Sequence, residues 1–285
     1  MYTQEITRRH RAAIVIAIDQ SSSMSGRMSL NGCDISKADA VSMVVGRLVD
    51  ELILRSHCDS GYRHYYDIAL LGYAEESVYS LLGEEVAFYP ITKLAEHNVR
   101  RVPYMLSYNT LDGETCSFCE NVSLWVEPRA QGSTPLYKLI NSVTTLVEEW
   151  CAKDENRESF PPLVFNISDG EASDADYDML RSAAQRLKDT GTTDGNTLFM
   201  NVHISSNTEV EPIVFPTSSE LLPATRYISV LMEMSSMIPE QFNVYVGECR
   251  SNYAAPPYIA MSYNASISEL IAMLNIGTRS TKTGV

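Results

Sequence analysis

The chain has 285 residues, of which 45% are hydrophobic and 20% are charged, and its formal net charge is −14 at pH 7. This length and composition are those of a globular protein with one large domain or two small ones. The negative charge argues against a nucleic-acid partner and against binding to anionic membranes, since both need a basic face. The N-terminal segment is polar and no run of about 18 apolar residues follows it, so we expect a cytoplasmic protein without a membrane partner.

The first predicted element is a strand of six apolar residues, from Ala13 to Ile18, which leads into Asp19. An unbroken apolar run bounded by polar turn residues indicates a strand that is buried on both faces. Ser21 and Ser23 follow in the spacing D-x-S-x-S. Open α/β folds bind their ligands at the carboxyl ends of the strands, so these oxygen-bearing side chains predict a site for a hard cation such as Mg²⁺ or Mn²⁺.

The middle of the chain predicts a helix, a second buried strand, a short antiparallel edge strand and an irregular insertion. In that order they span Ile35 to Arg55 (with Asp34 as the N-cap), Tyr65 to Tyr73, Ser77 to Leu82, and residues 83 to 130. The helix is indicated by the helical spacing of its apolar residues. Asn109 to Asn121 is rich in small polar residues, which predicts a surface loop inside the insertion.

The second half of the chain alternates strands with helices. Strands are predicted at Leu163 to Ile167 and Thr197 to Ile204, with further candidates at Phe242 to Val246 and Tyr258 to Ser262, and helices at Pro135 to Cys151, Ser173 (as the cap) to Lys188, Thr225 to Met237, and from Ser266 onward. This alternation predicts a doubly wound, Rossmann-like α/β fold with a mostly parallel six-stranded sheet, one antiparallel edge strand and a strand order like 3-2-1-4-5-6. We expect a single domain from residue 11 to 279, with tails at 1–10 and 280–285.

Two more oxygen-bearing side chains lie beside predicted elements of the sheet. Thr134 belongs to the sequence GSTP, and Asp169 belongs to SDG directly after a strand. Because neighbouring parallel strands share their carboxyl edge, both residues can converge on the D-x-S-x-S loop. Together these residues supply two carboxylates and three hydroxyls. The two negative charges would balance a divalent cation and the neutral hydroxyls would leave it electrophilic.

DQSSS, GSTP and SDG, in this order and at these strand ends, resemble the metal-ion-dependent adhesion site of von Willebrand factor A domains. The resemblance implies that Ser21, Ser23 and Thr134 would ligate the metal directly. It also implies that Asp19 and Asp169 would act mainly through water and hold the serines in place. The implied metal is Mg²⁺, or Mn²⁺ or Ca²⁺, and the implied partner is a protein whose Asp or Glu completes the coordination.

The stretches WVEPRAQGSTPLYKLI, PPLVFNISDGEASDAD and TDGNTLFMNVHIS are similar to a group of bacterial cytosolic A-domain proteins. Relatives of this kind are often encoded beside protein kinases and PP2C-type phosphatases, which implies a role in a signalling or stress system. Gln20 and Ser22 depart from the family pattern, which often has Thr or a small residue at the first position and Gly at the second. Neither position is an implied ligand, so we expect the site to be retained.

Three classes of function compete. A cation-dependent protein-binding module without catalysis is favoured. The alternative is a Mg²⁺-dependent phosphoryl-transfer hydrolase with Asp19 as the nucleophile. Ser21 stands where such phosphatases usually have a second Asp, and no Lys or Arg follows at an obvious phosphate-clamping position. A serine hydrolase would need a G-x-S-x-G elbow, which the sequence lacks. In a plain structural interpretation Asp19 caps a strand end, but this leaves Thr134 and Asp169 unexplained.

Overall fold

The fold is built around an eight-stranded, mostly parallel sheet. The structure is a computed structural model that describes residues 2–30, 33–109, 115–204, 212–220, 226–250 and 254–264. The strands of the sheet are β1 (Ala12–Asp19), β2 (Tyr66–Ala74), β3 (Ser77–Ser80), β4 (Tyr89–Pro90), β5 (Phe160–Ser168), β6 (Leu198–His203), β7 (Ile213–Val214) and β8 (Met261–Tyr263).

The order of the strands across the sheet is β7-β8-β6-β5-β1-β2-β3, and β4 also pairs with β2. The pairs β2/β1, β1/β5, β5/β6 and β6/β8 are parallel. The short strands β3, β4 and β7 are antiparallel to their neighbours. The predicted α/β class, the central order 3-2-1-4-5-6 and the antiparallel edge strand are therefore confirmed, while two further short strands, β4 and β7, enlarge the sheet.

Helices cover both faces of the sheet. They are α1 (Lys37–Ser56), α2 (Ile91–Ala95), α3 (Leu136–Cys151), α4 (Tyr177–Asp189), α5 (Arg226–Met234) and α6 (Asn243–Cys249). Buried side chains of α1, α2 and α6 belong to one apolar cluster, and those of α3, α4 and α5 belong to another. The sheet thus forms the middle of three layers, as expected for a doubly wound fold.

The first strand confirms the predicted burial on both faces. All eight residues of β1 are buried. Ile14, Ile16 and Ile18 pack in the cluster with α1, whereas Val15 and Ala17 pack in the cluster with α3. Side chains alternate along a strand, so an unbroken apolar run serves both layers. The same run fixes where the strand ends, because Asp19 is the first residue with a charged side chain.

Phe242 to Val246 was predicted as a strand, and this prediction is wrong. A short 3-10 turn at Glu240–Phe242 leads directly into α6 in this region. Phe242 and Val246 are both buried, whereas Val244 is 71% exposed. Burial four residues apart with an exposed residue between them follows the helical period, while a strand would place all three side chains on one face. The other predicted strand, Tyr258 to Ser262, overlaps β8. It is β8 that pairs with β6 in the sheet, in the place where a strand from Phe242 to Val246 could have been expected.

The segment from 83 to 130 contains more regular structure than its composition indicated. Besides β4 and α2 it holds an antiparallel pair, Arg101–Asn109 with Thr115–Ser123. The expected surface loop from Asn109 to Asn121 is strand at Asn109 and from Thr115 onward, and its residues 110–114 lie outside the described residues. The pair lies against α1, since a Cβ added to Gly46 would stand 2.2 Å from the backbone oxygen of Ser123. Its partner strand supplies the backbone hydrogen bonds, which polar composition alone does not reveal.

The start of α1 also differs from the prediction. A small antiparallel pair, Arg27–Leu30 with Cys33–Ser36, precedes the helix. Ser36 is the N-cap, and its hydroxyl accepts a hydrogen bond from the backbone N–H of Asp39. Asp34, the predicted cap, instead lies on the second strand of this pair and accepts from Arg27. The helix consequently begins at Lys37.

The N-terminal residues are attached to the domain through Asp194, whose carboxylate accepts from the backbone N–H groups of Thr3 and Gln4. The predicted final helix from Ser266 and the predicted tail at 280–285 lie outside the described residues. Within the described ranges, no helix combines the length and the apolar character that crossing a bilayer would require.

Candidate metal centre

Asp19 lies at the carboxyl end of β1 and is completely buried. Its Oδ1 accepts a hydrogen bond of 2.8 Å from the backbone N–H of Ser21, and its Oδ2 accepts one of 2.7 Å from the hydroxyl of Ser168. Burial raises the pKa of Asp19, although these hydrogen bonds lower it in part and the charge of Asp169 adds to the rise. The two hydrogen bonds to this carboxylate thus both come from neutral donors.

The two serines of the D-x-S-x-S loop link Asp19 to Asp169. The Oγ atoms of Ser21 and Ser23 are 2.9 Å apart, and the hydroxyl of Ser23 donates to Oδ1 of Asp169 at 2.5 Å. A 3-10 turn, Ser22–Ser25, orients this loop. Because Ser23 donates its single hydroxyl proton to Asp169, Ser21 is the donor in the Ser21–Ser23 pair, and each oxygen keeps at least one lone pair for a ligand.

Thr134 lies in the loop before α3 and is buried. Ser173 holds this loop on one side: its hydroxyl accepts from the backbone N–H of Thr134 at 3.0 Å, and its own N–H donates to the carbonyl of Thr134. Ser173 was predicted to cap the next helix, but α4 begins at Tyr177 and Asp176 is its cap. The capping prediction is therefore wrong, and Ser173 positions Thr134 instead.

The glycine of the GSTP sequence brings the Thr134 loop close to its neighbours. Gly132 has a φ of +79°, and a Cβ on it would stand 2.3 Å from Cγ of Glu75. Its carbonyl accepts from the backbone N–H of Ser22 at 2.9 Å. A residue with a side chain would be strained there and would clash with Glu75, which follows β2. Gly132 thus fixes the loop of Thr134 to the loop of Ser21 and Ser23.

Gln20, which departs from the family pattern, also ties elements together. Its Oε1 accepts from the hydroxyl of Tyr79 on β3, and its amide donates to the carbonyl of Glu127 in the 83–130 segment. A Cβ on Gly72 would stand 2.6 Å from Oε1, so the glycine makes room for the glutamine. The residue has a structural role and does not point to the candidate ligands.

Lys37 is a charged neighbour that sequence reasoning did not identify. Its Nζ lies 2.7 Å from Oδ2 of Asp169, and the two side chains are 10% and 1% exposed. The position of Lys37 at the start of α1 could have indicated this contact, because a helix that follows a strand in a doubly wound fold begins at the carboxyl edge of the sheet. A lysine in the first helical turn is also unfavourable next to the positive end of the helix dipole. Such a local conflict is typical of functional sites.

His203 ends β6 beside β5 and faces the same region of charge. Burial lowers its pKa to about 4, and the charge of Lys37 contributes, while the charge of Asp169 opposes the shift. Its ring stacks on Tyr263 with a centroid distance of 4.9 Å. The histidine is therefore neutral in the folded protein at neutral pH and adds no positive charge to the centre.

The donor set fits a hard divalent cation. The candidate ligands offer carboxylate and hydroxyl oxygens only, which suits Mg²⁺, Mn²⁺ or Ca²⁺. A Cβ on Gly170 would stand 3.4 Å from Oγ of Ser23 and 3.8 Å from Oγ1 of Thr134, so the glycine leaves space over both hydroxyls. In the described part of the chain, no group of three His, Cys, Asp or Glu side chains is placed to hold a metal ion. The centre itself contains two carboxylates.

The structure thus brings four of the five predicted residues into one chain of hydrogen bonds and places the fifth beside it. Successive hydrogen bonds join Asp19 to Ser21, Ser21 to Ser23, and Ser23 to Asp169. Thr134 lies near Ser23, on the other side of Gly170. Sequence reasoning missed three contributors: Ser168, Ser173 and Lys37. Ser168 could have been noticed, since a hydroxyl at the last position of a strand reaches the end of the neighbouring strand.

No family model matches the chain, and no curated protein matches it. Solved structures with some similarity include a von Willebrand factor type A protein from Catenulispora acidiphila, at 14% identity and a TM-score of 0.40, over 69% of this chain and 34% of that one. Another holds three N-terminal domains of the type V pili tip protein Mfa5 from Porphyromonas gingivalis, at 16% identity and a TM-score of 0.34, over 57% of this chain and 20% of that one. The chain therefore spans about a third and a fifth of these two proteins.

Proposed function

We propose that this chain is a von Willebrand factor A-type, protein-binding domain that uses a divalent cation to capture an acidic residue of a partner. The observation that carries the proposal is the convergence of hydroxyl and carboxylate oxygens from three separate loops at the carboxyl edge of the sheet. The loops come from β1, from the segment before α3 and from the end of β5. Open α/β sheets bind ligands at this edge.

In this proposal the hydroxyls of Ser21, Ser23 and Thr134 hold the cation. Asp19 and Asp169 hold the D-x-S-x-S loop, because Asp19 accepts from the backbone N–H of Ser21 and Asp169 accepts from the hydroxyl of Ser23. The bound cation would supply a Lewis-acidic position for an oxygen ligand from outside. Mg²⁺ is the expected ion, with Mn²⁺ or Ca²⁺ as substitutes.

The charges of the centre favour an acidic ligand. Asp19, Asp169 and Lys37 sum to −1, so a divalent cation would change the total to +1. One carboxylate from a partner would then make the centre neutral. Binding of that carboxylate is thus favoured both by the cation and by the lysine. The formal net charge of −14 does not favour binding to nucleic acid or to an anionic membrane, because both are also negatively charged.

The phosphoryl-transfer alternative needs Asp19 as an accessible nucleophile. Asp19 is 0% exposed, and each of its oxygens accepts a hydrogen bond. Lys37 does place a cation at this edge, which removes one argument made from the sequence against a phosphatase. Because the nucleophile would be covered, we propose a binding domain without catalysis, in the cytoplasm and in the kinase- and phosphatase-linked setting that the sequence resemblance implies.

Calorimetric titration with Mg²⁺ and Mn²⁺ tests the metal requirement. The native protein is expected to bind one ion, and Asp19→Ala should lose binding while keeping its fold by circular dichroism. Asp59→Ala removes an exposed Asp far along the chain from the candidate ligands and serves as the matched control. Unchanged metal binding by Asp19→Ala would refute the proposal.

Capture of the partner is tested by affinity pull-down with and without EDTA. We expect bound protein to be lost both in EDTA and with Thr134→Ala. Turnover of a generic phosphate ester is measured on the same preparations. Hydrolysis that requires Asp19 but tolerates Thr134→Ala would favour the hydrolase over the binding domain.

A further inference from the structure

Lys37 is held in the candidate centre by packing as well as by charge. Its backbone N–H donates to the carbonyl of Gly26 at 2.8 Å. A Cβ on Gly26 would stand 3.3 Å from Cε and 3.4 Å from Nζ of the lysine. The end of the side chain thus lies against the backbone of the loop that follows the D-x-S-x-S sequence, and 10% of it is exposed. A lysine on an open surface has no such constraint.

The ammonium group is directed at one oxygen of Asp169. Oδ1 of this carboxylate accepts from Ser23, and Oδ2 accepts from Lys37 at 2.7 Å. The side chain of Asp169 is 1% exposed, so water contributes little to its solvation. A nearly buried carboxylate without a positive partner would be strongly unfavourable. In the absence of metal, Lys37 therefore supplies the counter-charge that the buried Asp169 requires.

We propose that Lys37 is an internal cation that competes with the divalent metal for the negative charge of the centre and so sets the affinity for that metal. The inference rests on the proposed function. The two aspartates attract a divalent ion, but Lys37 already neutralises one of them and repels the incoming charge. The same lysine stabilises the metal-free protein, which can consequently remain folded without a bound ion. Its role is to position charge, since it offers no lone pair to a metal when protonated.

The test compares Mn²⁺ affinity in the native protein, Lys37→Met and Lys37→Gln by calorimetric titration. Methionine keeps the length of the side chain and removes the charge. Loss of a unit charge next to a divalent ion in a partly buried site is expected to tighten Mn²⁺ binding at least about tenfold. Lys138→Met is the control, because Lys138 lies in the first turns of α3 and donates to the carbonyl of Glu76 rather than to a carboxylate. Its Mn²⁺ affinity should stay within about twofold of the native value.

A second measurement follows unfolding by urea in EDTA and in Mn²⁺. In EDTA both Lys37 variants should unfold at a lower urea concentration than the native protein, and Mn²⁺ should remove most of this difference. Equal or weaker Mn²⁺ binding by both variants, with the native protein binding normally, overturns the inference and leaves the proposed function intact. Absence of Mn²⁺ binding in all the proteins overturns both. If Lys37→Met does not fold, Lys37→Gln decides the outcome.

Discussion

The two edges of the central sheet both hold a buried carboxylate, but they treat it in opposite ways. At the amino edge, Asp67 near the start of β2 accepts from Nε2 of His64 at 2.6 Å and from Nε1 of Trp150 at 2.9 Å, and Nε of Arg11 lies 3.7 Å away. Burial alone would raise the pKa of Asp67, yet these hydrogen bonds and charges lower it. At the carboxyl edge Asp19 has only neutral donors, and its pKa is raised.

The difference separates a structural carboxylate from one that is suited to a ligand. His64, Trp150 and Arg11 already stabilise the carboxylate of Asp67, so an external cation would add little to its stabilisation. Among the described residues, Lys37 is the cation that contacts this centre, through Asp169, so the two aspartates and the lysine together carry a net negative charge. Burial is similar at both edges, so in the proposed function the supply of positive charge decides which of them binds a metal.

The largest expected effect comes from the same substitution made at each edge. Asp67→Asn removes a charge from a satisfied network and turns an amide N–H toward a donor, so it should lower the free energy of unfolding by about 3 kcal/mol. Asp19→Asn should change it by less than about 1 kcal/mol in EDTA, since burial already disfavours the charged form there. Urea denaturation measures both. An equal loss at the two edges would remove the distinction between them.

Acid should affect the two edges in different pH ranges. The pKa of His203 is about 4 in the folded protein against an ordinary value of 6.5. The unfolded chain binds more protons between these values, so stability should fall by about 3 kcal/mol as the pH drops from 6.5 to 4. The lowered pKa of Asp67 makes its contribution decline only below its ordinary value of 3.8. Raising the pH restores both contributions.

Denaturation of the native protein and of His203→Gln in EDTA, at several pH values, measures this difference. The variant should lose the decline between pH 6.5 and 4 and keep the decline at lower pH. Asp67→Asn should show the reverse pattern. A native protein whose stability stays level down to pH 4 would contradict the burial of a neutral His203.

Metal should stabilise through the carboxyl edge only. At a Mg²⁺ concentration 100 times the dissociation constant, the free energy of unfolding should rise by about 2.7 kcal/mol. Asp67→Asn should gain the same amount, because its site is at the opposite edge, whereas Asp19→Asn should gain nothing. Thermal unfolding in Mg²⁺ and in EDTA checks this. A gain in Asp19→Asn would place the metal elsewhere.

The smallest expected effect concerns the support of Thr134. Ser173→Ala removes the acceptor for the backbone N–H of Thr134 and should cost about 1 kcal/mol of stability. It should also weaken Mg²⁺ binding, because the loop of a ligand is less well held. Ser182→Ala on α4 also removes a hydroxyl that bonds to backbone, away from the centre, and should leave Mg²⁺ affinity unchanged. Equal Mg²⁺ affinity in both variants would limit Ser173 to a structural role.

Local pattern predicted the sheet and the positions of the candidate ligands well. The apolar run of β1, the alternation of strands with helices, and polar residues at strand ends depend on short stretches of sequence. Features set by distant partners were missed. The Thr115–Ser123 strand needs Arg101–Asn109 as its neighbour, and the role of Ser173 needs the Thr134 loop. Lys37 was missed because its importance depends on the side chain 132 positions later that it contacts.

Helix α1 connects the charge of Lys37 to a place well outside the metal centre. Gly46 lies nine residues after Lys37, or about 13 Å along a helix that rises 1.5 Å per residue. There a Cβ would stand 2.2 Å from the carbonyl oxygen of Ser123, so the helix approaches this backbone too closely for a residue with a side chain. The position of the Lys37 ammonium group therefore depends on the contact between Gly46 and Ser123. A side chain at residue 46 should push α1 away from Ser123 and thereby shift Lys37, which lies at the start of the same helix.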